Sequence, residues 1–165
     1  MSAPTGNAAA TSFPSDTELV ITRVFDAPRS LVFDAWTRPE HLEKWQMSPK
    51  DMTVTTEKSE IRPGGEYRVT MWAPDGTAHR LRGVYKEVVP PARLVFTHAW
   101  LDADGNIGKD TLVTVTFEER GTQTLFTLRQ TGFGSVPSRD GHGTGWNSGL
   151  DKLEDYLATL APTAA

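Results

Sequence analysis

The segment that most constrains this chain is its last one. Trp146, Leu150, Leu153, Leu157 and Leu160 follow one another at steps of four, three, four and three. That spacing draws one apolar stripe, about four turns long, down one side of a helix, with Asp151, Lys152, Glu154 and Asp155 on the other side. What precedes this helix is a series of strands with one apolar face each. Glu66–Trp72 places Tyr67, Val69 and Met71 on one face, and His79–Val88 does the same with Leu81, Gly83 and Tyr85. Leu94–Trp100 aligns Leu94, Phe96, His98 and Trp100; Leu112–Glu118 aligns Val113, Val115 and Phe117; Thr124–Gln130 aligns Phe126, Leu128 and Gln130. A weaker alternation over Met52–Ser59 opens the series. Turns at Arg62-Pro63-Gly64-Gly65, Pro74-Asp75-Gly76 and Pro90-Pro91 punctuate it. A half-wet antiparallel sheet must cover its apolar face, and the final helix is the one element long enough to do so.

The beginning of the chain fits around this arrangement. Met1 to about Asp16 reads as a disordered tail, poor in residues that could offset the entropy of ordering. Glu18–Phe25 reads as a strand whose apolar residues fall on both faces. Asp26-Ala27-Pro28 starts a short helix carrying Leu31, Val32, Ala35 and Trp36. Thr37-Arg38-Pro39-Glu40 has the spacing of a capping box for a second short helix, with Leu42 and Trp45 on one side and Pro49 ending it. The glycine-rich stretch Gly132 to Gly145 reads as a loop into the last helix, and residues 161–165 as a frayed end. The expected architecture is α+β: one strand, two short helices, six strands and one helix, a curved seven-stranded antiparallel sheet wrapped around the C-terminal helix. Residues 17–160 form one domain in this reading.

Composition removes several function classes. Lys and Arg number 17 against 21 Asp and Glu, a formal charge of -4, so the electrostatic footprint of a nucleic-acid binder is missing. There is no cysteine, hence no disulfide, thiolate nucleophile or thiolate-ligated zinc. His41, His79, His98 and His142 fall on four different elements without metal-motif spacing, and no metal or other cofactor is expected. No run approaches the ~20 apolar residues of a membrane span. The first residues lack the basic start and apolar core of a secretory signal, so the expected compartment is the cytoplasm.

The segments RVFDAPRSLVFDAW-TRPEHLEKW, RPGGEY, PDG, GVYKEVVPPARLVFTHAW and GHGTGWNSGLDKLEDYL, in this order, resemble the bacterial branch of the activator of heat-shock protein 90 ATPase homologue family. That family belongs to the START-like, or polyketide cyclase-like, superfamily with the helix-grip fold. The resemblance covers roughly Leu19–Leu160. It implies a cavity between sheet and helix that takes a hydrophobic small molecule: a lipid, a polyketide or an aromatic ligand. A cyclase, aromatase or dehydratase-like enzyme is the alternative it implies. A chaperone-interacting module ranks below both, because the co-chaperone activity belongs to larger proteins with an additional domain. One departure is visible: Gln46 stands where the family pattern has a second Trp after Trp45.

Under this reading the cavity is lined by Trp45, Tyr67, Val69, Met71, Leu81, Tyr85, Phe96, His98, Trp100, Val115, Phe117, Phe126, Gln130, Trp146, Leu150 and Leu153. A filled core is the competing account of the same aromatic faces. Tyr67, Tyr85, His98 and Gln130 are the residues that would orient a ligand. His98 is the candidate acid/base, since histidine titrates near neutral pH; a structural histidine near a strand end fits the same position. The catalytic set beyond it is unknown from the residues alone.

Overall fold

The structure is a computed structural model and describes residues 9–160. Its elements are β1 (Ala9–Ser15), β2 (Glu18–Phe25), α1 (Arg29–Thr37), α2 (Pro39–Trp45), β3 (Thr53–Ser59), β4 (Glu66–Trp72), β5 (Ala78–Val89), β6 (Arg93–Trp100), β7 (Thr111–Arg120), β8 (Gln123–Thr131) and α3 (Val136–Leu160). The strands form one antiparallel sheet in the order β1-β2-β8-β7-β6-β5-β4-β3. Sequential hairpins account for β3 through β8. α1 and α2 carry the chain from β2, near one edge, to β3 at the other. α3 then lies across the inner face, closest to β2, so this is the α+β helix-grip arrangement of sheet and C-terminal helix.

Three local expectations are corrected. The sheet has eight strands, not seven, because part of the expected tail is β1, paired with β2 from Ala9–Arg23 to Ser15–Glu18. Every β1 side chain is exposed, so its ordering rests on ladder hydrogen bonds and on anchors from α3. Arg139 donates to the Ser15 carbonyl and lies 4.2 Å over the Phe13 ring, and Asn147 donates to Thr11 Oγ1. The rest of the expected tail, residues 1–8, and the expected frayed end, residues 161–165, lie outside the described residues.

The capping box does not form. Thr37 is the last residue of α1 and its hydroxyl donates to the Phe33 carbonyl, while Arg38 is the N-cap of α2 without a side-chain bond. α2 ends before Pro49: Gln46 takes a left-handed conformation at φ 60° and closes on the Leu42 carbonyl at 2.7 Å. Finally, the glycine-rich stretch is largely helix. α3 starts at Val136 and runs for 25 residues. Glycine is a poor helix former, but a Cβ at Gly149 would sit only 3.1 Å from the Ser48 carbonyl oxygen, so glycine suits this close approach.

One half of the interior is tightly filled. Trp36 stacks on Trp146 at 5.8 Å and meets Trp45 edge-on at 5.1 Å; Phe33 meets Phe117 and Phe25 meets Phe126 in the same edge-on way. Trp45 donates its indole N–H to the Ala35 carbonyl at 2.7 Å. The ambiguity in β2 resolves with Leu19, Ile21 and Phe25 inside the core. Arg23, almost fully buried, is drawn to α3 by Asp151 at 2.7 Å, Glu154 at 3.3 Å and Asn147 at 3.1 Å.

This last cluster is asymmetric: the cation is buried, the two carboxylates are half exposed. Removing both carboxylates strands a buried charge, whereas removing the arginine leaves two solvated ones. The double variant Asp151→Ala/Glu154→Ala is therefore expected to lose about 3 kcal/mol and Arg23→Met about 1 kcal/mol, read as urea unfolding free energies; equal losses would contradict the assignment.

Candidate functional site

The other half of the interior is open. β3, β4, β5 and β6, with the α2–β3 connection and the first turns of α3, surround a cavity of about 470 Å³. Nine expected residues line it: Tyr67, Val69 and Met71 from β4; Leu81 and Tyr85 from β5; Phe96, His98 and Trp100 from β6; and Trp146 from α3. The remaining ones do not. Trp45, Val115, Phe117, Phe126, Gln130, Leu150 and Leu153 are fully or almost fully buried in the filled half, because β7, β8 and the middle of α3 meet α1 and α2 there and leave no space. The lining also includes residues that alternation did not point to. Met47, Pro49 and Met52 come from the connection after α2, Val54 from β3, Ile61 from the β3–β4 turn, and His142, Gly141 and Gly145 from α3. His142 precedes Trp146 by four residues and so shares its stripe, a signal that was available once the helix was extended.

The β5–β6 pairing shapes the wall. Between the pairs Leu81–Trp100 and Tyr85–Phe96 the backbones approach so closely that a Cβ on Gly83 would sit 2.0 Å from the Thr97 carbonyl oxygen and 2.3 Å from the Tyr67 ring. Tyr67 uses this space, lying over Gly83 and donating its hydroxyl to the Thr97 carbonyl at 2.9 Å. Its ring and those of Tyr85 and Phe96 form a tilted aromatic cluster at 5.5–5.9 Å.

Several polar atoms on and behind the cavity wall are already committed, while the Tyr85 hydroxyl makes no hydrogen bond. Trp146 donates to Gln130 Oε1 at 2.8 Å, Gln130 donates to Thr111 Oγ1 at 2.8 Å, and Thr111 donates to the His98 carbonyl at 2.8 Å. Gln130 thus fixes the Trp146 indole and does not face a ligand, a correction to its expected orienting role. His142 bonds through both nitrogens: Nδ1 donates to the Ser138 carbonyl at 2.7 Å, and Nε2 accepts from the Trp100 indole at 2.9 Å. This pair of bonds requires the neutral Nδ1–H tautomer. His98 differs. Its ring lies 5.4 Å from that of His142, 5.5 Å from Trp100 and 5.9 Å from Trp146, and its buried Nδ1 has no partner.

Burial sets the electrostatics. It pushes the His98 imidazole down to about 3, with the neighbouring His142 adding to the effect, and it lowers His142 as well. Burial alone holds the Tyr85 phenol well above its ordinary value. His98 is therefore neutral at physiological pH, suited to exchange hydrogen bonds and not to deliver a proton as imidazolium. Among the described residues, the formally charged ones on the cavity wall are Glu43, which is exposed, and Lys58, which is held by Glu66 at 3.1 Å and Glu60 at 3.7 Å. Among the described residues no group of three His, Asp or Glu is placed to hold a metal, and no helix is long and apolar enough to cross a membrane.

Comparison with known proteins gives a consistent result. The family model described as activator of Hsp90 ATPase homolog 1-like protein matches residues 26–158. A crystal structure of a Chromobacterium violaceum protein superposes with a TM-score of 0.78 at 26% identity, over 85% of this chain and 96% of that one. An Arthrobacter aurescens protein solved by NMR gives 0.81 at 24% identity, covering 93% and 92%. The AHSA1 protein of Silicibacter pomeroyi gives 0.80 at 24%, covering 87% and 99%. No curated protein matches the chain.

The buried neutral His98 makes stability depend on pH. Its folded pKa lies below the unfolded value of about 6.5, so the unfolded chain takes up the proton first. Stability from this group is complete above about pH 6.5 and is lost as the pH falls toward 3. Between pH 7 and 5 the loss is expected to be about 2 kcal/mol and to be absent in His98→Phe. His142 contributes in the same direction in both proteins, so the difference between their urea unfolding curves isolates His98; parallel pH profiles would contradict the placement.

Proposed function

The chain belongs to the activator of Hsp90 ATPase homolog 1-like family, and we propose that its task is to bind a hydrophobic small molecule, of lipid, polyketide or aromatic type, in the cavity between β3–β6 and α3. The observation that supports this most is the contrast between the two halves of one interior. The same sheet and helix are packed without space around Trp36 and stand apart around Met71 and Tyr85. Native interiors are close-packed, so about 470 Å³ of apolar space is a departure that calls for an occupant. The volume falls within the ~300–1,000 Å³ range of small-molecule sites, and the wall is apolar with few polar groups, as such sites are. Met47, Met52 and Met71 give the wall adaptable side chains that conform to a ligand's outline.

The reading places the work in the cavity alone and names binding, with no bond made or broken. Localisation in the cytoplasm and the absence of nucleic-acid or membrane-inserted partners belong to the same proposal. A chaperone partner is not needed by it.

Gly145 provides the test. It lies on α3 against the cavity, and a Cβ there would meet Pro49 Cγ at an ordinary 3.8 Å. Leucine favours a helix over glycine by about 0.5–1 kcal/mol, while its side chain would occupy cavity space. Gly145→Leu is expected to keep or raise the melting temperature and to weaken binding of the neutral dye N-phenyl-1-naphthylamine at least about tenfold, measured by energy transfer from tryptophan. A stable variant with unchanged dye affinity would place the binding elsewhere.

A further inference from the structure

We propose that the cavity selects an uncharged, ring-bearing ligand carrying a hydroxyl or carbonyl group, and that His98 is the residue that recognises that group. This deepens the binding function proposed above and rests on it. Of the tyrosine, tryptophan and histidine side chains on the cavity wall, Tyr85 and His98 make no side-chain hydrogen bond among the described residues. The Tyr67 hydroxyl is spent on the Thr97 carbonyl. The Trp100 indole is spent on His142, and both His142 nitrogens are engaged. The Trp146 indole is spent on Gln130. His98 differs from Tyr85 in its place: it is 5% exposed, lines both this cavity and the smaller one beside it, and its ring makes no hydrogen bond. An imidazole edge with no partner in the protein gains a hydrogen bond when a ligand's polar group meets it.

The imidazole also sits where two spaces meet. A smaller cavity of about 190 Å³ adjoins the first and shares His98, Trp100, Ser138 and His142 with it. Lys109 lines this smaller space and does not line the main cavity. A polar substituent at His98 thus marks one end of the ligand, with its ring among Tyr67, Tyr85 and Phe96.

The charge class follows from the same inventory. Neutral imidazole accepts a hydrogen bond at one nitrogen and donates at the other, so it serves a hydroxyl or a carbonyl equally. A carboxylate would enter a space whose wall cation, Lys58, is already held by Glu60 and Glu66. Burying an unpaired carboxylate is expensive. The ring character follows from the walls, where aromatic faces offer edge-to-face and stacked contacts.

The test is a matched series on one skeleton: phenanthrene, 9-phenanthrol and phenanthrene-9-carboxylate, titrated at pH 7.5 by calorimetry. The expected order is 9-phenanthrol tightest, with at least about a tenfold advantage over the carboxylate and about three- to tenfold over phenanthrene. In His98→Phe the ratio of phenanthrol to phenanthrene affinity is expected to fall to about one. In the unaltered protein, 9-phenanthrol is expected to move the ring ¹⁵N resonances of His98 and phenanthrene to leave them in place, a readout that does not depend on the variant folding. Equal affinities across the series, or a carboxylate that binds best, would overturn the recognition by His98 while leaving a hydrophobic site intact. No binding of any of the three would overturn both.

Discussion

The position of one indole ring governs how this interior is divided. Trp146 stacks on Trp36 with one side and borders the open cavity with the other. Its N–H is held by Gln130, which is held by Thr111, which is bonded to the backbone beneath His98. The ring therefore cannot swing into the empty space without breaking a buried hydrogen-bond chain, and buried networks of this kind are costly to leave half satisfied. A packed half and an open half can then coexist a few ångströms apart. On the packed side aromatic rings meet around Trp36. On the open side the lining side chains leave a cavity of about 470 Å³.

The polar inventory of the open side follows from the same chain. The polar atoms of Tyr67, Trp100 and Trp146 are used within the protein, whereas His98 has its backbone used and its ring not. This separates two roles that alternation alone merges. Gln130 and His98 both sit on inward faces of neighbouring parts of the sheet, but one supports the partition and the other borders the cavity. Because burial keeps the His98 ring neutral, what it can offer is a directional hydrogen bond in an apolar setting, where such bonds are strong.

Much of this was legible in the residues. Period-two alternation in β4, β5 and β6 put Tyr67, Met71, Leu81, Tyr85, Phe96, His98 and Trp100 on the inward face, since a sheet with one covered face must alternate. The stripe from Trp146 to Leu160 identified the covering helix, although its last member, Leu160, is exposed. Alternation says which way a side chain points but not how far away the opposing surface lies, and so Phe117, Phe126 and Leu150 could not be told from cavity residues. β1 left no pattern because its side chains are all exposed and its order comes from backbone pairing. The start of α3 was hidden by Gly141, Gly143 and Gly145, which disfavour helix locally. Met47 and Met52 lie in a connection without periodicity, where only the fold brings them to the wall.

The most direct test of the divided interior is a ¹³C-methyl methionine NMR titration with N-phenyl-1-naphthylamine, with the tryptophan indole N–H signals observed alongside. Met47, Met52 and Met71 border the cavity, whereas Trp36 and Trp45 are fully buried in the packed half. The account predicts saturable shifts at those three methyls and at Trp100 and Trp146, with Trp36 and Trp45 unmoved. Shifts concentrated at Trp36 and Trp45, or none at the three methyls under saturating dye, would contradict it.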